Sequence, residues 1–137
     1  MPRLLAVRTL DTNVVVRLLI GDDPQETPIA EQAFVAAIAS RGVYLPDVVL
    51  AEVAWVLRGY DLERATRYQL LERLVRTRGV VVDDIDAVID ALEQFRLGGD
   101  LADQLILARA ASSGALPVLS FDCRFAASEG VELLRPA

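Results

Sequence analysis

Short β-rich runs that alternate with helical patterns constrain this chain more than any other feature of its sequence. Leu4–Leu10 is apolar apart from Arg8 and Thr9 and reads as a first strand, and Asn13–Ile20 continues as a short apolar helix stopped by Gly21. "DPQE" at 23–26 sets an acid at the N-cap, Pro at the first helical position and Glu at the third, which predicts a capping box and a second helix to about Ser40. "VYLP" (Val43–Pro46) reads as a strand, Asp47 opens a helix through about Leu57, and Asp61 to about Thr77 has an amphipathic pattern. Gly79–Val82 is a third strand, followed by a helix from about Asp84 to Arg96. "DLADQLILARAASS" is a further helix, "LPVLS" a fourth strand, Asp122–Ser128 a turn or short helix, and "VELL" a fifth strand. Strands linked by helices imply right-handed crossovers and a mainly parallel sheet covered on both faces. The expected fold is a three-layer α/β/α domain with about five strands.

At 137 residues the chain is expected to form one domain spanning 1–137, and 53% hydrophobic residues supply a sizeable core. Arg17, Asp47 and Glu52 interrupt the longest apolar runs before any reaches the roughly 18–20 residues of a membrane span. The N-terminus has no cleavage-site pattern, so a soluble, cytoplasmic protein is expected. One Cys and no His leave nothing from which to build a zinc site or a histidine acid–base catalyst. All fourteen basic residues are Arg, which excludes P-loop and Schiff-base lysines. A net charge of −6 has the wrong sign for a protein that holds nucleic acid by bulk charge alone.

Four acids fall where an open parallel sheet binds ligands, beyond the carboxyl ends of its strands. Asp11 follows the first strand; either it or Asn13 caps the next helix, and capping by Asn13 would leave Asp11 free. Glu52 is the only charged residue in "VVLAEVAWVL", with Val48, Val49, Trp55 and Val56 one turn away, so an apolar face and a partnered carboxylate are expected there. Asp103 points along an apolar face towards Ile106 and Leu107, one turn after Asp100, which suits an N-cap. Asp122 follows the fourth strand, with Ser120 on the same side of the extended chain. Four converging carboxylates without cations would repel one another, so the cluster points to a hard cation, Mg²⁺ or Mn²⁺. Such an ion activates water and stabilises charge on phosphorus, which points to phosphodiester hydrolysis. Arg side chains would then hold the flanking phosphates.

"LDTNVVVRLLIGDDP", "LPDVVLAEVAWVLR", "GGDLADQLILARA" and "LSFDCRF" together resemble the PIN-domain nucleases, specifically the VapC toxins of type II toxin–antitoxin pairs, over essentially the whole chain. The resemblance implies a PIN-like fold and an Mg²⁺- or Mn²⁺-dependent ribonuclease acting on a structured RNA such as a tRNA or rRNA loop. It implies that Asp11, Glu52, Asp103 and Asp122 form the metal-binding catalytic tetrad, with Asp100 an additional metal acid and Thr12, Asn13 and Ser120 polar supports. A VapB-type antitoxin covering the groove and a homodimer are implied as well. Cys123 stands where many members carry a basic residue, which passes a phosphate contact to Arg124; Arg17 and Arg58 are further RNA-binding candidates because they close the helices that begin near the site. Aspartyl phosphotransfer, as in receiver domains, also places acids at strand ends but relies on a Lys that is absent here. The remaining alternative is a PIN-fold binding module, or a nuclease outside a toxin–antitoxin pair.

Overall fold

Parallel pairing joins runs far apart in the chain. In the computed structural model, which describes residues 7–136, β1 (Arg8–Thr9), β2 (Val43–Tyr44) and β3 (Val80–Val81) form one parallel sheet in that order. Arg8 lies opposite Val43 and Thr9 opposite Tyr44, while Val43 and Tyr44 face Val80 and Val81. β4 (Val118–Ser120) and β5 (Val131–Leu133) form a second parallel sheet. The fold is mixed α/β, and the five strands anticipated from sequence are present, divided between a three-stranded and a two-stranded ladder. Residues 4–6 of the expected first strand lie outside the described residues.

The chain divides into two compact units, Met1–Ile85 and Asp86–Ala137. In the first, α1 (Thr12–Ile20) and α2 (Glu26–Ser40) connect β1 to β2, and α3 (Asp47–Leu57) and α4 (Arg64–Arg76) connect β2 to β3. Gly21 ends α1 in the left-handed region, its N–H donating to the Arg17 carbonyl at 3.0 Å, as its lack of a Cβ permits. The α2 cap is built differently from the expected box. Asp23 Oδ1 accepts the N–H groups of Gln25 and Glu26 at 2.9 and 2.7 Å, but the return bond to the Asp23 N–H comes from Thr27 Oγ1. Glu26 instead accepts from Arg17 Nε at 2.7 Å. A nearby guanidinium is a stronger donor to a carboxylate than a neutral amide, so it draws Glu26 away from the box.

Gly42 starts β2 at φ +105°, and a Cβ there would run into the backbone oxygen of Gly79. That oxygen accepts the Val43 N–H at 2.8 Å, while the Gly42 oxygen accepts the Arg8 N–H at 3.0 Å, so one glycine lets all three strands pair. Val43 and Leu45 are buried, and α3 packs through Val49, Leu50, Val53, Ala54 and Leu57. The i, i+1, i+4 spacing of that stripe is helical, and each fully buried Leu or Val contributes about 1.5–3 kcal/mol of burial free energy. Leu71, Leu74 and Val75 bury the inner face of α4.

The second unit contains α6 (Leu101–Ser112), β4, a 3₁₀ turn at Phe125–Ala127 and β5; α5 (Ile85–Arg96) begins at the division. Val88, Ala91, Leu92 and Phe95 bury one face of α5, and Leu101 and Leu105 are buried on α6. Among the described residues, no helix is long and apolar enough to cross a membrane.

Candidate active site

The candidate acids sit on elements of both units. In the first unit, β1 delivers the chain to Asp11, the N-cap residue of α1. The helix starts one residue earlier than its apolar pattern suggested, so Asn13 is an exposed second helical residue and not the cap. The Asp11 carbonyl accepts from Val14 and Val15 at 3.0 and 3.2 Å, whereas its carboxylate makes no capping bond. Backbone geometry alone therefore starts α1 and leaves the Asp11 side chain exposed.

Thr12 is buried at 6% exposure, and its hydroxyl donates to Glu52 Oε1 in a short hydrogen bond between residues forty apart in sequence. This bond ties the start of α1 to the middle of α3 and fixes one oxygen of the carboxylate. Glu52 departs from its expected setting in one respect. Its neighbours are apolar as expected, but Glu52 itself is exposed, and Val48 and Trp55 on the same face are 70% and 67% exposed. Only Val49 is buried and Val56 half-buried, because the packed stripe of α3 centres on Leu50, Val53 and Leu57. The partner is Thr12, and burial does not demand it.

In the second unit, Asp100 caps α6, with Oδ1 accepting the Asp103 N–H at 2.9 Å. Asp103 is half-buried, and its carboxyl is held above the ordinary carboxylate range, first by burial and then by the neighbouring carboxylates of Asp100 and Asp122. Asp122 follows β4; its Oδ1 accepts the N–H groups of Arg124 and Phe125 at 2.8 and 3.2 Å, and its own N–H donates to Ser120 Oγ at 3.0 Å. Ser120 thus shapes the turn that presents Asp122. The bonds to Asp100 and Asp122 each fall on one carboxylate oxygen.

Among the described residues, no ion pair involves Asp11, Glu52, Asp100, Asp103 or Asp122, and no three acids form a preassembled cluster able to hold a metal. The donor set still fits a hard cation. Burial and then the carboxylates of Asp100 and Asp122 disfavour the charged form of Asp103, with no Arg ion pair to it among the described residues, and Mg²⁺ characteristically binds through one or two carboxylates while keeping water and phosphate ligands.

The candidate RNA-binding arginines separate clearly. Arg17 is engaged within the first unit, 2.7 Å from Glu26 and 3.7 Å from Asp23, and the Glu26 hydrogen bond strengthens its hold on its proton. Arg58 closes α3 on the exposed surface, and Arg124 is exposed with its backbone N–H on Asp122. The Thr12–Glu52 bond and the exposure of Trp55 were not anticipated from sequence. A tryptophan in an uninterrupted apolar run carries no local mark that it lies outside the core.

Parallel strands joined by helices, with acids after β1 and β4 and on α3 and α6, define a parallel α/β scaffold. The PIN domain family matches residues 8–130, and the chain belongs to that family. Neither a curated protein nor a solved structure matches it. The family brings a nuclease-type fold; its members are generally metal-dependent nucleases that act on nucleic acid, usually with a divalent ion such as Mg²⁺ or Mn²⁺.

Proposed function

We propose that this chain is the toxin of a type II toxin–antitoxin pair, an endoribonuclease that uses Mg²⁺ or Mn²⁺ and occurs as a homodimer with a VapB-type antitoxin as partner. Asp11, Glu52, Asp103 and Asp122 are its metal ligands, and Asp100 adds negative charge beside Asp103. The observation that carries the reading is the setting of Asp103, a half-buried carboxyl in the first turn of α6, capped by Asp100, whose charged form is disfavoured first by burial and then by the carboxylates of Asp100 and Asp122. A divalent ion would reverse that penalty, and when bound it supplies a nucleophilic water at neutral pH and stabilises charge on phosphorus.

The side chains have distinct tasks. Thr12 holds Glu52 Oε1; Ser120 and the two amides on Asp122 Oδ1 fix the turn after β4. Asp100 holds the first turn of α6, and so the backbone of Asp103, in place. Oriented ligands of this kind lower the reorganisation needed at the reacting centre.

The test is cleavage of total cellular RNA by the purified protein with Mg²⁺, with Mn²⁺ and with chelator, beside Asp11→Asn. Discrete products that require metal and vanish in the variant support the reading. A folded wild type as inert as the variant, with no metal binding in a titration, would instead support a PIN-fold binding module.

A further inference from the structure

The residue that follows β4 is an aromatic that folding leaves in water. Exposure alternates along this stretch, with Val118 and Ser120 half-buried, Leu119 57% exposed and Phe121 72% exposed. The chain has four phenylalanines. Phe95 and Phe125 are buried and Phe34 is half-buried, so Phe121 alone forgoes the burial that an aromatic ring ordinarily gains.

That exposure is set by a backbone held on both sides of the ring. Before Phe121, the Ser120 carbonyl accepts the Leu134 N–H at 2.7 Å and the Ser120 hydroxyl accepts the Asp122 N–H at 3.0 Å. After it, the Asp122 carboxylate accepts the N–H groups of Arg124 and Phe125, its carbonyl accepts that of Ala126 at 2.9 Å, and the buried Phe125 anchors the turn. Arg124 is exposed, and among the described residues no ion pair involves it, whereas Arg17, Arg76 and Arg96 each lie against a carboxylate. A ring, a carboxylate and a guanidinium thus follow one another within four residues of one fixed turn.

We propose that Phe121 positions the RNA substrate by stacking on an unpaired nucleobase beside the cleaved bond, with Arg124 taking a flanking phosphate. The assignment rests on the ribonuclease reading in which Asp122 belongs to the site. Adjacent Cα atoms are about 3.8 Å apart, so an RNA phosphate at Asp122 leaves the base of a neighbouring nucleotide within reach of the ring. Stacking on exposed aromatic rings is how proteins hold single-stranded nucleic acid, and it accepts any base. Bases inside a duplex are already stacked on one another, so the ring selects unpaired nucleotides. A second copy of the chain is a poorer occupant, since the centres of protein interfaces are depleted of charge and this ring stands between Asp122 and Arg124 on one side and exposed Leu119 on the other.

The experiment measures binding of a labelled, unstructured oligoribonucleotide and of a paired duplex to the full-length protein in chelator, by fluorescence anisotropy, and then metal-dependent cleavage of a defined RNA. Phe121→Ala should weaken single-strand binding about tenfold and leave duplex binding unchanged, and Phe121→Tyr should recover most of the loss. Arg124→Gln should make the salt dependence of single-strand binding shallower, by about 0.7 in logarithmic slope. In cleavage, Phe121→Ala should raise KM about tenfold with kcat largely kept. An abasic nucleotide at the stacked position beside the mapped cut should raise the wild-type KM by the same factor and add nothing in Phe121→Ala. Circular dichroism melts establish that the variants fold.

Wild-type KM in Phe121→Ala, with the wild type cleaving, would overturn the proposal while the ribonuclease reading stands. So would equal weakening on single strand and duplex, because a stacking ring discriminates between them. If Phe121→Ala dissociates a dimer in sedimentation and binds RNA as the wild type does, a second copy covers this ring and the proposal fails. Single-strand binding that depends on Phe121, without cleavage in any metal, would support the stacking and remove the ribonuclease reading. Neither binding nor cleavage by the wild type would remove both.

Discussion

The two units hold their acids in opposite ways. In the first, Glu52 stands exposed, one oxygen held by the buried Thr12 hydroxyl. In the second, Asp103 is drawn partly out of water beside Asp100 and Asp122 and resists ionisation. The first carboxylate is oriented by a neutral donor; the second is partly buried on its helix beside two like charges. A cation site needs both properties: fixed direction for geometry, and excess negative charge for affinity.

The largest expected effects come from removing either kind of acid. Glu52→Gln and Asp103→Asn should each lower metal-dependent RNA cleavage at least about 100-fold, measured as kcat/KM on a defined RNA, since each removes the charge of a proposed metal ligand. If one variant keeps wild-type activity, that acid leaves the catalytic set and the comparison fails for its unit. Next in size, Thr12→Val should cost about 10- to 100-fold by freeing Glu52 to rotate, whereas Thr12→Ser, which keeps the hydroxyl, should retain most of the activity.

Smaller effects on stability separate the units further. Without metal, Asp103→Asn should stabilise the fold at neutral pH by under about 1 kcal/mol after solvent screening, while Glu52→Gln, whose amide oxygen still accepts from Thr12, should leave the melting temperature unchanged. The sign follows from linkage. The folded Asp103 holds its proton more tightly than the unfolded one, so its charge costs stability as pH rises through the raised pKa, and the benefit of Asn disappears below the ordinary carboxylate range. Chemical denaturation across pH, with and without Mg²⁺, measures this. Added Mg²⁺ should remove the advantage of the Asn variant.

The smallest effect concerns Arg17. Because Glu26 and Asp23 engage it, Arg17→Gln should leave the cleavage KM near wild type and produce a slight fall in thermal stability, read by calorimetry. A large rise in KM would return Arg17 to the RNA-binding set.

Much of this architecture was legible in local sequence. The strand runs, the stop at Gly21, the cap at Asp100 and the turn at Asp122 rest on interactions within a few residues, and those are what pattern and residue chemistry report. The α2 box was half legible: Asp23 caps as its position implies, but the Glu26 partner depends on Arg17, nine residues away.

What the sequence by itself determined is the alternation that makes a parallel α/β fold, the family, and the placement of acids after strands and on early helix turns. The tertiary structure alone decided that Thr12 reaches Glu52 across forty residues, that Arg17 is engaged while Arg58 lies open, and that Trp55 faces water. The physical reason is the same in each case. Helical spacing states which residues share a face, but α3 is apolar nearly all round, so only the packing of Leu50, Val53 and Leu57 could choose which face becomes core and which is left for Glu52 and Trp55.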